Sequence, residues 1–327
     1  MADMVYHKKK IALLHRHPKD RIKETNAAFP YLETKGIDVL TFKSFPRTGG
    51  LTKHIKSFFW IFYAPLLVIG KGYDVIYADD SYPFYPFLVK LVSPFSKVVI
   101  RLGDLHLMYY FSGWVYEFLH FFEKITWCFV DRIIVISEAM KEYVGVADVV
   151  LDPVDPKDFE INQYEKLGSI MFHGLLTKNK NVDLMIEAAK RMPYLIFTIV
   201  GDGPDKKRLE SIAPQNVIFT GWVPFGRMKD LIGMCFVGVA LRSENPGNEY
   251  VVTSPFLQYG VMGKPCLVTR RKVFGDYPWQ FSTVDEMVEK LKYLLGAPEE
   301  GEKLREYILE NHDAKKIACE IMDILNG

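Results

Sequence analysis

Cysteine is scarce in this sequence, and the few residues present are spread along the chain. They stand at Cys128, Cys235, Cys266 and Cys319, so no two have the close spacing of a zinc motif. The pattern also differs from the dense cysteine framework of a small secreted protein. We therefore expect reduced thiols, no metal site and a cytoplasmic setting.

Long apolar runs and an excess of charge of one sign are also lacking. The longest apolar run, residues 58–69, has 12 residues and contains Pro65, whereas about 20 are needed to span a bilayer. The apolar stretch 11–14, behind a basic N-terminus, is too short for a signal peptide. The 41 basic and 40 acidic residues give a net charge of +1, so we expect no binding to nucleic acid.

What the sequence does have is a regular alternation of short Val- and Ile-rich runs with longer helical patterns. This alternation predicts parallel strands joined by crossover helices. Strands are predicted at 10–15, 37–42, 74–78, 97–101, 132–136, 169–173, 195–200, 216–220, 235–241 and 265–269. Helices are predicted at 22–35, 109–129, 182–191, 205–212, 226–234 and 284–295.

The chain length of 327 residues suits two domains. A polar, proline-containing stretch at 151–168 has no sustained periodicity and predicts the linker between them. We expect an α/β fold with two Rossmann-like domains, residues 1–155 and 156–310, that face each other across a cleft.

Three segments of the second half follow one another in a recognisable order. They read IMFHGLLTKNKNVDLMIEAAKRM, LIFTIVGDGPDKKRLES and NVIFTGWVPFGRMKDLIGMC. In this order and spacing they resemble the donor-binding domain of the group 1 (family 4) retaining glycosyltransferases, which have the GT-B fold. The resemblance implies transfer of a sugar, with retention of configuration, from a UDP- or GDP-linked donor to a glycan or lipid-linked acceptor. It also implies that no cofactor or metal takes part, and that a last helix within 311–327 packs back on the first domain.

The predicted donor site begins where the first segment leaves its strand. A strand ending at His173, followed by Gly174 and a helix, would aim backbone amides and the positive end of the helix dipole at a phosphate. The resemblance places Lys180 at the donor diphosphate. The alternative is a solvated lysine in a basic loop beside Lys178.

Glycines in the second segment are further candidates for donor contact. Gly201 and Gly203 would touch the nucleotide, or would only make the tight turn between a strand and a helix. A dinucleotide-binding fingerprint needs a third glycine, and Lys206 occupies that position. By the resemblance, the backbone at Val223 flanks the base.

The sequence departs from the family pattern at two positions. Leu175 stands where the family usually has an arginine, and Arg242, at the end of a later strand, is our candidate to replace that cation. Gln258 stands where the family usually has a glutamate that binds the ribose; glutamine still forms hydrogen bonds, but without a charged acceptor. These departures leave an alternative open, a catalytically impaired relative that binds nucleotide or glycan as a partner subunit.

The same region contains the candidates for the catalytic acid. Glu249, and after it Glu244, are candidates for the acid that lies near the transferred sugar in the family. Both belong to a loop, where acids are often only solvated. Ser254 and the amides beside it would bind a second anion, or would simply cap a helix that begins at Pro255.

In the first half, the resemblance is looser. By position, Arg101, Asp104 and His106 are polar groups at the end of the fourth strand, on the acceptor side, with Asp104 and His106 as candidate catalytic residues. Arg101 and Asp104 would equally form a structural ion pair. The basic residues after the first strand are also candidates to hold an anionic acceptor, or form a solvated loop: His15, Arg16, His17 and Lys19.

Aromatic residues are concentrated in the first half, with 27 of 46 in the first 132 positions. The cations Lys53, His54, Lys56 and Lys71 flank the apolar run at 58–69. An aromatic-rich helix beside cations suits an element that lies on a membrane surface, so we expect peripheral membrane contact through residues 53–71. A buried helix pair or an oligomer interface explains the same composition.

Overall fold

The structure, a computed structural model, describes residues 9–20, 22, 26–42, 51–79, 84–159 and 169–327, with only the backbone at 51–54 and 57. These residues form two compact units. The first takes in the described residues up to Pro153 together with Ala314–Gly327, and the second is Val154–Asp313. Each unit contains a six-stranded, wholly parallel sheet.

The first unit contains the strands β1 (Ile11–His15), β2 (Asp38–Thr41), β3 (Val75–Ala78), β4 (Lys97–Leu102), β5 (Arg132–Val135) and β6 (Asp148–Val149). Its described helices are α1 (Phe29–Glu33), α2 (Leu51–Leu66), α3 (Tyr85–Val92), α4 (His106–Tyr110), α5 (Gly113–Trp127), α6 (Glu138–Val144) and α13 (Ala314–Asn326). The strand order is β2-β1-β3-β4-β5-β6. The first strand therefore has neighbours on both sides, the arrangement in which an α/β sheet offers a ligand crevice at its carboxyl edge.

The strands of the first unit are apolar because both of their faces are covered. All four residues of β3 are buried, as are the first four of β1, which explains the continuous Val- and Ile-rich runs of the sequence. On one face, Leu13 and Tyr77 share a core with Ile321 and Leu325 of α13. The C-terminal helix thus belongs to the first unit.

The second unit contains the strands β7 (Ser169–His173), β8 (Ile196–Val200), β9 (Val217–Gly221), β10 (Val237–Ala240), β11 (Cys266–Thr269) and β12 (Gln280–Phe281). Its helices are α7 (Asp183–Arg191), α8 (Lys206–Ile212), α9 (Phe225–Met234), α10 (Ser254–Val261), α11 (Val284–Leu294) and α12 (Glu299–Asn311). The strand order is β12-β11-β10-β7-β8-β9. Helices α7 and α11 contribute to the core on one face, and α9, α10 and α12 to the core on the other.

The predicted fold class, α/β with two Rossmann-like units, is confirmed, and each predicted strand is present with ends shifted by no more than two residues. Strands β6 and β12 were not predicted, because each has only two residues and is too short to show a periodic pattern. The predicted helix 22–35 is wrong over residues 26–28: Asn26 Oδ1 accepts from Ala28 N at 3.1 Å, and this turn makes the helix begin anew at Phe29. The predicted helix 109–129 is also interrupted, between α4 and α5, where Gly113 has φ +59°.

Two sequence predictions fall partly outside the described residues. Of the predicted linker 151–168, the structure shows a short 3-10 helix at Pro156–Asp158, whereas residues 160–168 are not described. The side chains of Lys53 and His54 also lie outside the described part. None of the helices in the described ranges combines the length and the apolar character needed to cross a bilayer.

Candidate functional site

The carboxyl edge of the second sheet brings together the loops that carry most of the predicted donor residues. Strand β7 pairs with β8 on one side and with β10 on the other, so the edge above β7 and β10 is the switch point at which α/β sheets bind ligands. Gly174 directly follows β7, and Arg242 is the second residue after β10. A hydrogen bond joins the two loops, because Ser243 N donates to Asn179 O at 3.0 Å.

Lys180 lies in the loop after β7, in a short 3-10 helix, Lys178–Lys180. Asn181, with φ +53°, reverses the chain direction, and α7 begins two residues later. Lys178 is exposed, whereas Lys180 is half-buried. The structure therefore distinguishes the two lysines by their exposure, which the sequence alone could not do: Lys180 packs partly against the protein, and Lys178 does not.

His173, the last residue of β7, lies beneath this loop and was not among the predicted site residues. It is 6% exposed, and its ring packs edge-to-face on Tyr259 at 5.1 Å. Burial, and then the charge of Lys180, lower its pKa to about 3. Within the described part of the chain, Nε2 has no hydrogen-bond partner. His173 is therefore neutral near pH 7, and the nearby positive charge is on Lys180.

Arg242 is tied to the loop after β11. Its backbone N donates to Thr269 Oγ1 at 3.1 Å, and its carbonyl oxygen accepts from Arg271 Nη2 at 2.8 Å. Its own Nε is buried and has no partner among the described residues. A buried guanidinium nitrogen without an acceptor is costly, so this group is suited to an anionic ligand.

Glu249, the predicted acid near the transferred sugar, contacts the same loop. Its Oε2 accepts from Lys272 N at 3.0 Å, and its Oε1 lies 3.6 Å from Arg271 Nε. Glu244, the second candidate, is exposed. Arg271 thus connects Glu249 with Arg242, a role that no local sequence signal identified.

Gly201 and Gly203 pack against the loop after β7. A Cβ atom on Gly201, where φ is +139°, would lie 1.9 Å from Gly174 O, and one on Gly203 would lie 2.2 Å from Leu176 O. Leu176 N also donates to Asp202 O at 2.9 Å. These glycines thus allow close packing against the loop that carries Lys180. This is the structural role that the sequence analysis gave as the alternative to nucleotide contact.

Helix α10 supplies the remaining donor candidates in this unit. Ser254, its exposed first residue, and Gln258, half-buried, are four residues apart and therefore share one face of the helix. Thr253 precedes the helix, and its buried Oγ1 has no partner among the described residues. Val223 lies after β9 and packs partly against the core that contains α10.

In the first unit, Arg101 is held between two carboxylates. Its Nη2 donates to Asp152 Oδ1 at 2.6 Å, and its Nη1 lies 3.4 Å from Asp79 Oδ1. Burial lowers the pKa of Arg101, but Asp79 and Asp152 outweigh that effect and raise it. Asp79 also accepts from Tyr77 OH and from Asn26 Nδ2. Asp79 was missed by the sequence reasoning, because only the fold brings these residues together.

The structure brings His106 close to the basic loop after β1. Arg16 Nη2 lies 3.3 Å from His106 Nε2. His17 N donates to His15 Nδ1 at 3.0 Å, and the two imidazole rings are 5.3 Å apart. Asp104 is contacted by Tyr109 OH at 3.5 Å. Two of the predicted residues of the first unit, Arg16 after β1 and His106 after β4, are thus in contact.

No group of three or more His, Cys, Asp or Glu side chains suited to hold a metal ion occurs among the described residues. Comparison with protein families gives a match for most of the second unit and for the C-terminal helix: residues 168–326 match the family described as "Glycosyl transferases group 1". In this part the chain is similar to the group 1 glycosyltransferases.

Solved structures of the GT-B fold are similar to the chain over nearly its whole length. Anabaena HepE, crystallised with UDP and glucose, is 14% identical with a TM-score of 0.70, covering 98% of this chain and 100% of that one. Sucrose-phosphate synthase from Thermosynechococcus elongatus is 13% identical with a TM-score of 0.74, covering 97% and 98%. A Rickettsia africae glycosyltransferase is 10% identical with a TM-score of 0.70, covering 98% of each chain. At such identities the similarity shows the fold. No curated protein matches the sequence.

One of the two departures from the family pattern, Leu175, lies in the loop after β7. Leu175 follows Gly174 and is 61% exposed, so its apolar side chain has no packing role that would explain it. The loop after β7 provides the half-buried Lys180 and the exposed Lys178, and the loop after β10 provides Arg242.

Lowering the pH from 7 to 5 is expected to destabilise the second unit through His173. The folded pKa is about 3, against 6.5 for the ordinary group, so the unfolded chain takes up the proton first as the pH falls. The resulting stability is complete above about pH 6.5 and declines as the pH falls toward 3, with about 2 kcal/mol lost by pH 5. Urea unfolding of the wild type and His173→Gln at both pH values measures this loss. Equal pH dependence in the two proteins would contradict it.

Proposed function

We propose that this protein transfers a hexose-type sugar from a nucleotide-sugar donor, UDP- or GDP-linked, to a glycan or lipid-linked acceptor with retention of configuration. The observation that carries the proposal is the pair of loops after β7 and β10. Joined by the Ser243–Asn179 hydrogen bond, they place Lys180 and Arg242 at the switch point of a group 1 glycosyltransferase domain. HepE, a structural neighbour, was crystallised with UDP and glucose. UDP-linked sugars are therefore the first donors to test.

In the proposed donor site, cations and amides hold the diphosphate. Lys180 and Arg242 neutralise its charge, and the amides at Gly174 and at Ser254 add hydrogen bonds. Gln258 binds the ribose, and the backbone at Val223 flanks the base. Gly201 and Gly203 complete this side of the site by allowing the close approach of their loop to Gly174 and Leu176.

The chemistry that this arrangement supports is cleavage of the bond between the anomeric carbon and the donor diphosphate. An acceptor hydroxyl forms the new bond to that carbon, while negative charge develops on the departing diphosphate. Preorganised cations and amides aimed at that charge lower the barrier. No step of this scheme calls for a metal or a cofactor.

In the first unit, we propose that Arg101, His15 and His17 bind the acceptor and that Asp104 and His106 are catalytic residues. In the second unit, Glu249 is our candidate catalytic acid. The contact of Arg16 with His106 supports a common site for the loops after β1 and β4. All four cysteine thiols are unpaired, which supports a reducing, cytoplasmic setting for the reaction.

The proposal is tested by incubating the protein with a panel of UDP- and GDP-sugars and measuring release of the nucleoside diphosphate. We expect slow hydrolysis of one donor without acceptor, and faster release when a matching glycan or lipid-linked acceptor is added. NMR of the product then reports the anomeric configuration. Nucleotide binding without turnover, across donors and acceptors, would instead favour the role of a non-catalytic partner subunit.

A further inference from the structure

Three helices of the first unit, α2, α3 and α5, expose an unusual amount of apolar surface. Of the 29 large hydrophobic side chains that are exposed among the described residues, 18 lie between residues 55 and 129. Scattered exposed hydrophobic residues are normal on a folded protein, but a contiguous group of them marks an interaction site.

The three helices form one continuous layer. Helix α3 contacts both α2 and α5. Trp60 of α2 packs against Tyr85 at 5.9 Å, and Phe87 of α3 packs against Phe129, just after α5, at 4.9 Å. Because Trp60 and Tyr85 are wholly buried, the apolar residues on the opposite sides of the helices are the ones that water reaches.

We name this surface the aromatic helix face. Its defining residues are Phe58, Phe62, Leu66, Trp114, Phe118 and Phe121, each more than half exposed, with Trp114 at 79%. An aromatic side chain offers about 150–250 Å² when fully accessible, so the dozen half-exposed aromatics in this region expose on the order of 1,000 Å². The largest apolar patch of an ordinary monomer is about 300–600 Å².

The charges around the aromatic helix face are mainly positive. From residue 51 to residue 73 the sequence contains three lysines and no Asp or Glu; Lys56 is half-buried and Lys71 is exposed. On α5, Lys124 and Glu117 are both exposed and balance each other. The surface as a whole is therefore apolar with a basic margin.

We propose that the aromatic helix face docks on an anionic lipid bilayer. Helices with aromatic residues on one face and lysines beside it bind in the plane of the bilayer interface, and anionic headgroups attract the basic margin. A two-fold contact with a second copy would pair this patch with itself, and among its described residues only Glu117, which Lys124 balances, is available to complement Lys56 and Lys71. Charge complementarity thus favours the bilayer over self-association.

The experiment is co-flotation of the full chain with phosphatidylcholine vesicles, with and without phosphatidylglycerol. We expect binding to the anionic vesicles that weakens as salt is added. Phe58→Ser/Phe62→Ser and Phe118→Ser/Phe121→Ser should each lower the partition coefficient about tenfold or more. Lys56→Glu/Lys71→Glu should lower it by a similar factor on anionic vesicles only.

The matched controls remove equally exposed groups elsewhere. Tyr194→Ser/Ile218→Ser removes two exposed hydrophobic side chains of the second unit, and Lys207→Glu reverses an exposed charge there; both should bind like the wild type. Absence of wild-type flotation, or equal loss in the control variants, would overturn the proposal. So would light scattering that shows a dimer dissociated by the Phe→Ser variants, because a second copy would then cover the face. Vesicle binding needs no donor or acceptor, so its outcome is independent of the proposed transfer reaction.

Discussion

Replacing Lys180 with alanine is expected to weaken binding of the nucleotide-sugar donor about 10- to 100-fold, because a charge-assisted hydrogen bond to the diphosphate is worth about 1.5–3 kcal/mol. Two observations support this proposed role: Lys180 is half-buried, and its charge lowers the pKa of the buried His173. Isothermal titration with the nucleoside diphosphate measures the loss. Turnover should fall further, by about 100-fold or more in kcat/KM, since charge on the diphosphate grows as its bond to the sugar breaks.

The neighbouring Lys178 supplies the control. It lies in the same short helix but is exposed, so Lys178→Ala should change donor affinity by less than about twofold. Equal losses in both variants would show that only the overall basicity of the loop matters. An unchanged affinity in Lys180→Ala would remove Lys180 from the donor site.

Arg242→Ala separates the second cation from the first. If Arg242 compensates for the leucine at position 175, this variant should lose donor affinity about as strongly as Lys180→Ala. Removing Lys180 should also raise the pKa of His173, because its charge is one of the two causes that lower it. NMR titration of the His173 ring therefore shows whether Lys180 occupies the described position even in the absence of donor.

The strands and helices of the second unit were predictable because their alternation along the chain is encoded locally. Strands covered on both faces are short Val- and Ile-rich runs, and each of these is followed by a helix with its own apolar period. The breaks in the predicted helices could not be predicted from the sequence pattern, because each depends on the conformation or the hydrogen bond of a single residue. The turn at Asn26 uses one side-chain oxygen, and the break before α5 uses the positive φ of Gly113.

The candidate site was predictable only where a residue stands directly at the end of a strand. Gly174 and Arg242 could be placed at the carboxyl edge from their positions after β7 and β10. Arg271 could not, since its contact with Glu249 joins residues 22 positions apart in different loops. His173 gave no signal either, because its low pKa arises from burial that only the folded chain provides.

The predicted glycines of the second segment present a similar case. Sequence reasoning left Gly201 as either a nucleotide contact or a connector between a strand and a helix. The backbone oxygen of Gly174 lies where a side chain on Gly201 would begin, so the loop carrying Lys180 depends on the absence of that side chain. The requirement for glycine is therefore structural, whether or not the nucleotide also passes nearby.

Gly201→Ala is accordingly expected to destabilise the second unit by at least about 3 kcal/mol. Two causes add: φ of +139° is a conformation that residues with a Cβ rarely adopt, and the new methyl group would lie 1.9 Å from Gly174 O, a backbone atom that cannot turn aside. For a unit of this size, the thermal midpoint should fall by about 6–12 °C. Calorimetry and urea unfolding of the full chain measure both quantities.

Gly226→Ala is the matched control, because it makes the same chemical change at an open position. Gly226 lies in the first turn of α9, and a Cβ added there meets nothing within 4 Å. Alanine favours a helix over glycine by up to about 1 kcal/mol, so this variant should be as stable as the wild type or slightly more stable. A Gly201→Ala protein that unfolds like Gly226→Ala would mean that the loops after β7 and β8 do not pack as closely as described. With wild-type unfolding but weakened nucleotide binding, Gly201 would instead act at the ligand.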